Sequence, residues 1–354
     1  MRNEKDSDPV PSLKRRNRTR MIPLRVGICF IELTRTKLRL PESLQELSLD
    51  NSIEFVVIDM NKSLTEQGPF DVILHKVLEW YNQGDVVGDA KLNKLLTYAK
   101  SNPDVQWLDS VEKTVELADR LRSMEILKQC EFTMNGVEVF VPRFAFIEKT
   151  DSENVMAIIN KNSLKFPLIT KPPLTRFDAE AHDMAIIFSE DSVVRDVMSP
   201  CVIQEFVNHG CKLYKIANAD QSHYICERPS VKNLKAGSEP TVYFDSMTVS
   251  KVNIHNKDLH AVNPRFQEFR TFLQDDEKEK CVLDQKVVSE LLRRIVQYSG
   301  LYFFGVDIII DEETGNYGII DLNYMPSYNG ALNMFANDVY DKLKVIDGNR
   351  LKRD

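Results

Sequence analysis

The sequence predicts an α/β fold assembled from more than one module, and three observations carry that prediction. The chain opens with apolar strands separated by a leucine-rich helical segment, and its middle alternates short apolar strands with a helix-like stretch. Near the C-terminus two long apolar strands flank a turn. Strands alternating with helices early in a chain point to a parallel sheet covered by helices. With 354 residues there is room for two or three modules of ~100–200 residues each.

In chain order, Leu24 to Phe30 (LRVGICF) reads as a buried strand, followed by a helical segment from Leu40 to Leu49. Glu54 to Asp59 is a second strand, and Pro69-Phe70 introduces a third, Asp71 to His75. Val111 to Cys130 has helical spacing with Arg and Lys on its polar side and leads out of the first module. Strands follow in VEVFVPRFAFIE, LKFPLITK and MAIIFS, with a helix at NVMAIINKN. CVIQEFV and CKLYKIA, on either side of a turn at Asn208-His209-Gly210, read as a β-hairpin joining two modules. Lys251 to Lys280 is polar and reads as a long loop with a helical piece. In QKVVSELLRRIVQYSG, Val288, Leu291, Leu292, Ile295 and Val296 share one helical face, with Gly300 as C-cap.

Hydrophobic residues make up 43% of the chain and charged residues 28%, an ordinary globular balance. No apolar run approaches the ~18 residues of a membrane helix, and MRNEKDSDPV lacks the apolar centre of a secretory signal. The six cysteines contain no C-x-x-C pair, which argues against a zinc ribbon or disulfide scaffold and fits a reducing compartment. The expectation is a cytoplasmic monomer without membrane or nucleic-acid partners, since the net charge of −7 opposes general nucleic-acid binding. Against that acidity, Lys14-Arg15-Arg16-Asn17-Arg18-Thr19-Arg20 is strongly basic: a nuclear address, an anion-binding arm or a solvated tail.

Several motifs are absent: a phosphate-binding P-loop, a G-x-G-x-x-G turn, a G-x-S-x-G elbow and an H-E-x-x-H zinc helix. The chemistry lies instead in FFGVDIII and YGIIDLN. If their turn centres on Thr314, Asp307 falls opposite Asp321, and Asn323 projects from the same face. Opposed carboxylates in apolar strands repel; a divalent cation such as Mg²⁺ would remove that penalty, and pairing with Lys or Arg at strand ends is the alternative. Lys171 closes a strand, and Lys215 stands in another beside Gln204-Glu205-Phe206. Strand-end lysines snorkel to the surface or deliver a point charge to phosphate, and together with the carboxylates these suggest a nucleoside triphosphate held by strands.

The segments EQGPFDVILHK, DRLRSMEIL, LKFPLITK, CVIQEFVNH with LYK, ERPSVKN, YFDSMTVSK and FFGVDIII with IIDLNYMPSY occur here in a fixed order. In them the chain resembles the inositol-tetrakisphosphate 1-kinase (inositol 1,3,4-trisphosphate 5/6-kinase) family, from about Arg25 to the helix after Asn329. The resemblance implies an ATP-grasp fold with an N-terminal α/β domain at 23–112, a central ATP-grasp domain at 113–207 and a C-terminal one at 208–345. Residues 1–22 and 346–354 would be tails. It implies ATP as co-substrate, Mg²⁺ as two ions and an inositol polyphosphate as acceptor.

Carried over by position, Arg120, Lys171, Gln204, Glu205, Phe206, Val207, Tyr214, Lys215, Ser230, Ser246 and Ser250 would bind ATP. Asp307, Asp321 and Asn323 would hold metal, with Lys171, Asp321 and Asn323 catalytic. Thr34, Lys76, Arg176, His182, Lys215, Asn323 and Ser327 would touch the acceptor. The chain departs from the family pattern on the acceptor side. Thr34 stands in place of a lysine and Ser327 in place of a glycine, and the segment Pro172–Ala181 has no glycine. Arg176 could compensate there, gripping a phosphate with its guanidinium. The implied function is an ATP- and Mg²⁺-dependent kinase of inositol polyphosphate hydroxyls. An ATP-grasp carboxylate–amine ligase and a non-catalytic ATP and inositol-phosphate binder are the rivals.

Overall fold

The computed structural model describes residues 22–49, 52–80, 86–149, 152–174, 182–237, 239–246, 249 and 282–352. The basic run, Arg176, Ser250 and the expected loop at 251–280 lie outside them. Among the described residues no helix is long and apolar enough to cross a membrane.

The first module contains β1 (Leu24–Cys29), α1 (Glu32–Lys37), α2 (Glu42–Leu47), β2 (Ile53–Val57), α3 (Leu64–Gln67), β3 (Val72–His75), α4 (Val86–Ser101), β4 (Gln106–Leu108) and α5 (Val111–Glu116). Its four strands form a parallel sheet in the order β2-β1-β3-β4. Both faces are covered: Val72 and Leu74 pack into one apolar cluster and Ile73 into another. That is why β1 and β3 read as continuous apolar runs rather than alternating ones. Helix α4 has no counterpart in the sequence reading, because Gly88-Asp89-Ala90-Lys91 interrupts its apolar spacing.

The expected single helix over Val111–Cys130 is two. It breaks where Asp119 caps α6 (Arg120–Gln129), its carboxylate accepting the Leu121 and Arg122 N–H groups. Next come β5 (Phe132–Met134), β6 (Val137–Phe140), β7 (Phe144–Ile147), α7 (Ser152–Lys161), β8 (Leu168–Lys171), β9 (Asp183–Ile187), α8 (Glu190–Asp196), β10 (Cys201–Glu205), β11 (Lys212–Ala219), β12 (Ser222–Pro229) and β13 (Val242–Asp245). The chain closes with α9 (Gln285–Ser299), β14 (Phe303–Ile310), β15 (Tyr317–Tyr324) and α10 (Leu332–Arg350). Gly300 ends α9 at φ +72°, the left-handed cap its position suggested.

Two further sheets result, a five-stranded one ordered β13-β9-β8-β10-β7 and a six-stranded one ordered β12-β11-β14-β15-β6-β5. Three expectations change. β10 and β11 are not a hairpin, since they belong to different sheets joined by the segment between them. The boundaries at 113–207 and 208–345 do not separate the sheets: β5 and β6 pair into the C-terminal sheet beside β15, and β13 pairs with β9 in the central one. The C-terminal tail expected from residue 346 begins inside α10, whose Val339, Leu343 and Ile346 are buried against the core.

Candidate active site

The carboxylates of the C-terminal hairpin do face each other, by a route the turn alone does not supply. Near the turn, Ile310 pairs with Tyr317 and Ile308 with Ile319, a register that would set Asp307 opposite Ile320. An irregularity between Asp307 and Ile308 absorbs one residue and brings Asp321 opposite Asp307. Each acid has a cationic partner that offsets part of their mutual repulsion. Lys215, directly across from Asp307 on β11, lies 2.5 Å from its Oδ2. Arg120 at the start of α6 donates to Asp321 Oδ1 at 3.0 Å, and Asn323 donates to Asp321 Oδ2 at 2.8 Å.

The central module closes the network. Lys171, at the end of β8, donates to the Ile320 carbonyl at 2.8 Å. Arg120 Nε donates to the Pro172 carbonyl at 2.8 Å, and the Arg120 N–H donates to the Pro173 carbonyl at 2.8 Å. The two prolines lack N–H donors, yet their carbonyls tie the strand end to α6. Burial pulls Lys171 down to about 8, with Asp321 opposing. Burial also acts against charged Lys215, but Asp307 more than offsets it and holds the amine above its ordinary value. Burial likewise raises Asp307, whereas for Asp321 the cations Arg120 and Lys171 overcome burial and keep it low.

The other residues expected at the nucleotide are placed as follows. Gln204 is buried and donates to the Pro142 carbonyl at 3.2 Å. Glu205 accepts the Lys165 N–H at 2.8 Å, and the Phe206 N–H reaches the Pro167 carbonyl at 2.9 Å. Tyr214 is a correction: with Lys215 facing Asp307, the neighbouring Tyr214 side chain turns to the opposite sheet face and joins the apolar core. Ser230 sits against His209, a residue the sequence reading left without a role. The His209 Nδ1–H donates to the Val207 carbonyl at 2.6 Å, so Nε2 is free to accept from the Ser230 hydroxyl at 2.7 Å. Burial lowers the His209 pKa, in keeping with a neutral ring that braces the segment between the sheets. Ser246 lies 3.3 Å from His182 Nδ1. An open cleft at this segment is lined by Val207, Asn208, Asn233, Asp311, Glu312 and Glu313; its acidic rim does not suit a phosphate.

Of the residues expected to touch the acceptor, Thr34 is buried within α1 and Lys76 is buried directly after β3. Both meet Glu79, which sequence reasoning missed: Thr34 hydrogen-bonds its carboxylate, and the Ile31 N–H donates to it at 3.1 Å. Burial raises Glu79 and lowers Lys76. Ser327 is exposed between Met325 and Tyr328, whose φ values of +43° and +49° mark a constrained loop.

An antiparallel five-stranded sheet and a mixed six-stranded one, linked through Lys171, Arg120 and the paired carboxylates, define the class. The fold is that of D-cycloserine synthetase DcsG (TM-score 0.54, 12% identity, 90% of this chain and 99% of that one). It is also that of the ATP-grasp ligase PsnB (TM-score 0.54, 13% identity, 92% of this chain and 100% of that one). With the ATP-grasp domain model that matches most of the chain, these likenesses make the architecture ATP-grasp. Models of the inositol 1,3,4-trisphosphate 5/6-kinase ATP-grasp domain and pre-ATP-grasp domain match residues 133–344 and 26–113. Inositol-tetrakisphosphate 1-kinase of Danio rerio is 29% identical over 327 residues, 92% of this chain and 79% of that one. That of Xenopus laevis is 30% identical over 321 residues, 88% of this chain and 76% of that one. The chain belongs to the inositol 1,3,4-trisphosphate 5/6-kinase family.

Proposed function

We propose that this chain transfers the γ-phosphoryl group of ATP to a hydroxyl of an inositol polyphosphate. Family membership supports the reaction class, and one observation supports the site: Lys171, Arg120 and Lys215 converge from three elements on the opposed carboxylates of the hairpin. Three cations thus gather around two carboxylates in an acidic protein, a local excess of positive charge that suits a polyanionic substrate pair. Phosphoryl transfer asks for positioning and charge neutralisation more than for covalent help. In this reading Lys171 and Arg120 bind the ATP phosphates, and Gln204 to Val207 present backbone groups to adenine. Lys76 and His182 hold acceptor phosphates, and Arg176 joins them.

The donor set fits a hard divalent cation: two carboxylates and the Asn323 amide oxygen on one sheet face, to be completed by phosphate oxygens. Among the described residues no cluster of three His, Cys, Asp or Glu forms a ready-made cation cage, which suits Mg²⁺ arriving with the nucleotide. Bound there, Mg²⁺ would supply the positive charge that balances the transferring phosphoryl group. The test is to incubate the protein with ATP, Mg²⁺ and a panel of inositol tris- and tetrakisphosphates. ADP release that requires the inositol phosphate and no amine supports the kinase; release that requires a carboxylate and an amine supports a ligase.

A further inference from the structure

Tyr324 closes β15, one residue beyond Asn323. By strand alternation its side chain leaves the face opposite to Asp321 and Asn323. The buried hydroxyl stands 3.1 Å from the His75 carbonyl and 3.2 Å from the Leu108 carbonyl, and it accepts the Asp109 N–H at 3.1 Å. These groups sit at the C-terminal ends of β3 and β4, and the residue after His75 is Lys76. The joint is tied in the reverse direction too, since the Asp109 carboxylate accepts both the Tyr302 and Phe303 N–H groups at 3.0 Å, where the strand of Asp307 begins. His75 braces it: Nε2–H donates to the Asp109 carbonyl at 2.6 Å, Nδ1 accepts the Val77 N–H at 3.3 Å, and the ring lies 5.7 Å from that of Tyr324. His75, Asp109 and Tyr324 are all buried.

One phenol hydroxyl therefore meets two strand ends of the first module while its own backbone carries the metal and phosphoryl side. We propose that Tyr324 is a positioning residue for the acceptor. Its hydroxyl sets where the first module presents Lys76 relative to Asp321 and Asn323, and the nucleotide site between the other two sheets does not depend on it. The proposal rests on the reading that Lys76 holds an acceptor phosphate.

Tyr324→Phe removes the hydroxyl and keeps the ring. Loss of one such hydrogen-bonding group predicts a rise in KM for the inositol polyphosphate of roughly three- to tenfold, with KM for ATP within about twofold of the parent. A merely structural defect would lower the active fraction and hence kcat, without this split. In a Lys76→Ala background, Tyr324→Phe should add nothing further, because the residue it positions is gone. His75→Gln loosens the same joint from the other side and should move the same KM, which keeps the proposal testable if Tyr324→Phe folds poorly. Lys76→Ala with an unchanged acceptor KM would overturn the reading of Lys76. Lys76→Ala with a raised acceptor KM, combined with an unaffected or fully multiplicative Tyr324→Phe, would overturn the role of Tyr324 alone.

Discussion

Arg120 touches Asp321, the Pro172 carbonyl and, through its own N–H, the Pro173 carbonyl, so one residue couples the helix, the central sheet and the hairpin. Removing the Asp321 charge relieves its repulsion of Asp307, which Lys215 already offsets, but leaves the buried Arg120 guanidinium without its carboxylate. Asp321→Asn is expected to lower kcat by at least roughly a hundredfold, the scale of losing a group that meets developing charge. It should also lower stability by about 1–3 kcal/mol, because a charge-assisted bond is weakened; steady-state kinetics and denaturant melts check both, and Mg²⁺-dependent turnover at the parent rate would remove Asp321 from the site. At this scale the shared face of Asp321 and Asn323 was legible from strand alternation, whereas the irregularity between Asp307 and Ile308 that sets Asp307 opposite Asp321 leaves no mark in the sequence. The same alternation, followed along β11, would have sent Tyr214 to the core. Tyr324 and Asp109 were not legible: their partners lie far away in sequence, and no local pattern marks a tyrosine that will meet His75.

Among the elements, α9 offers the cleanest test of local reasoning. A Cβ at Gly300 would meet nothing within 4 Å, so the cost of a side chain there is conformational strain at φ +72° alone. Gly300→Ala should destabilise the protein by about 1 kcal/mol with kcat and both KM values unchanged; a loss several times larger would mean that the cap does more than end a helix. Most strands and the amphipathic helix α9 could be read from apolar spacing and turn residues. The division of Val111–Cys130 could have been read from Asp119 as an N-cap. The exchange of β5, β6 and β13 between sheets could not, because pairings as distant as Val242 with Ile186 and Tyr317 with Val139 leave no mark on the composition of either strand.

For the whole molecule, the joint between the first module and the C-terminal sheet makes stability depend on pH. Burial pushes the Asp109 carboxyl up to about 6 from 3.8, the Phe303 and Tyr302 N–H groups offsetting part of the effect. Between those values the folded protein holds a proton that the unfolded chain has released. The buried carboxylate therefore costs nothing below pH 3.8 and its full amount above about 6, on the order of 3 kcal/mol at most. Asp109→Asn does not titrate, so its unfolding free energy relative to the parent should improve by ~1–3 kcal/mol between pH 4 and pH 7. A difference that stays constant across that range would mean Asp109 is ionised in both states.

Where the phosphoryl group goes separates a kinase from a ligase. The most direct measurement is the mass of the inositol polyphosphate after incubation with ATP and Mg²⁺, alongside ADP released, for the parent and for Asp321→Asn. The parent should add one phosphate to the acceptor for each ADP formed, and Asp321→Asn should add almost none. ADP formed by the parent with no gain of mass on any inositol phosphate would contradict the assignment.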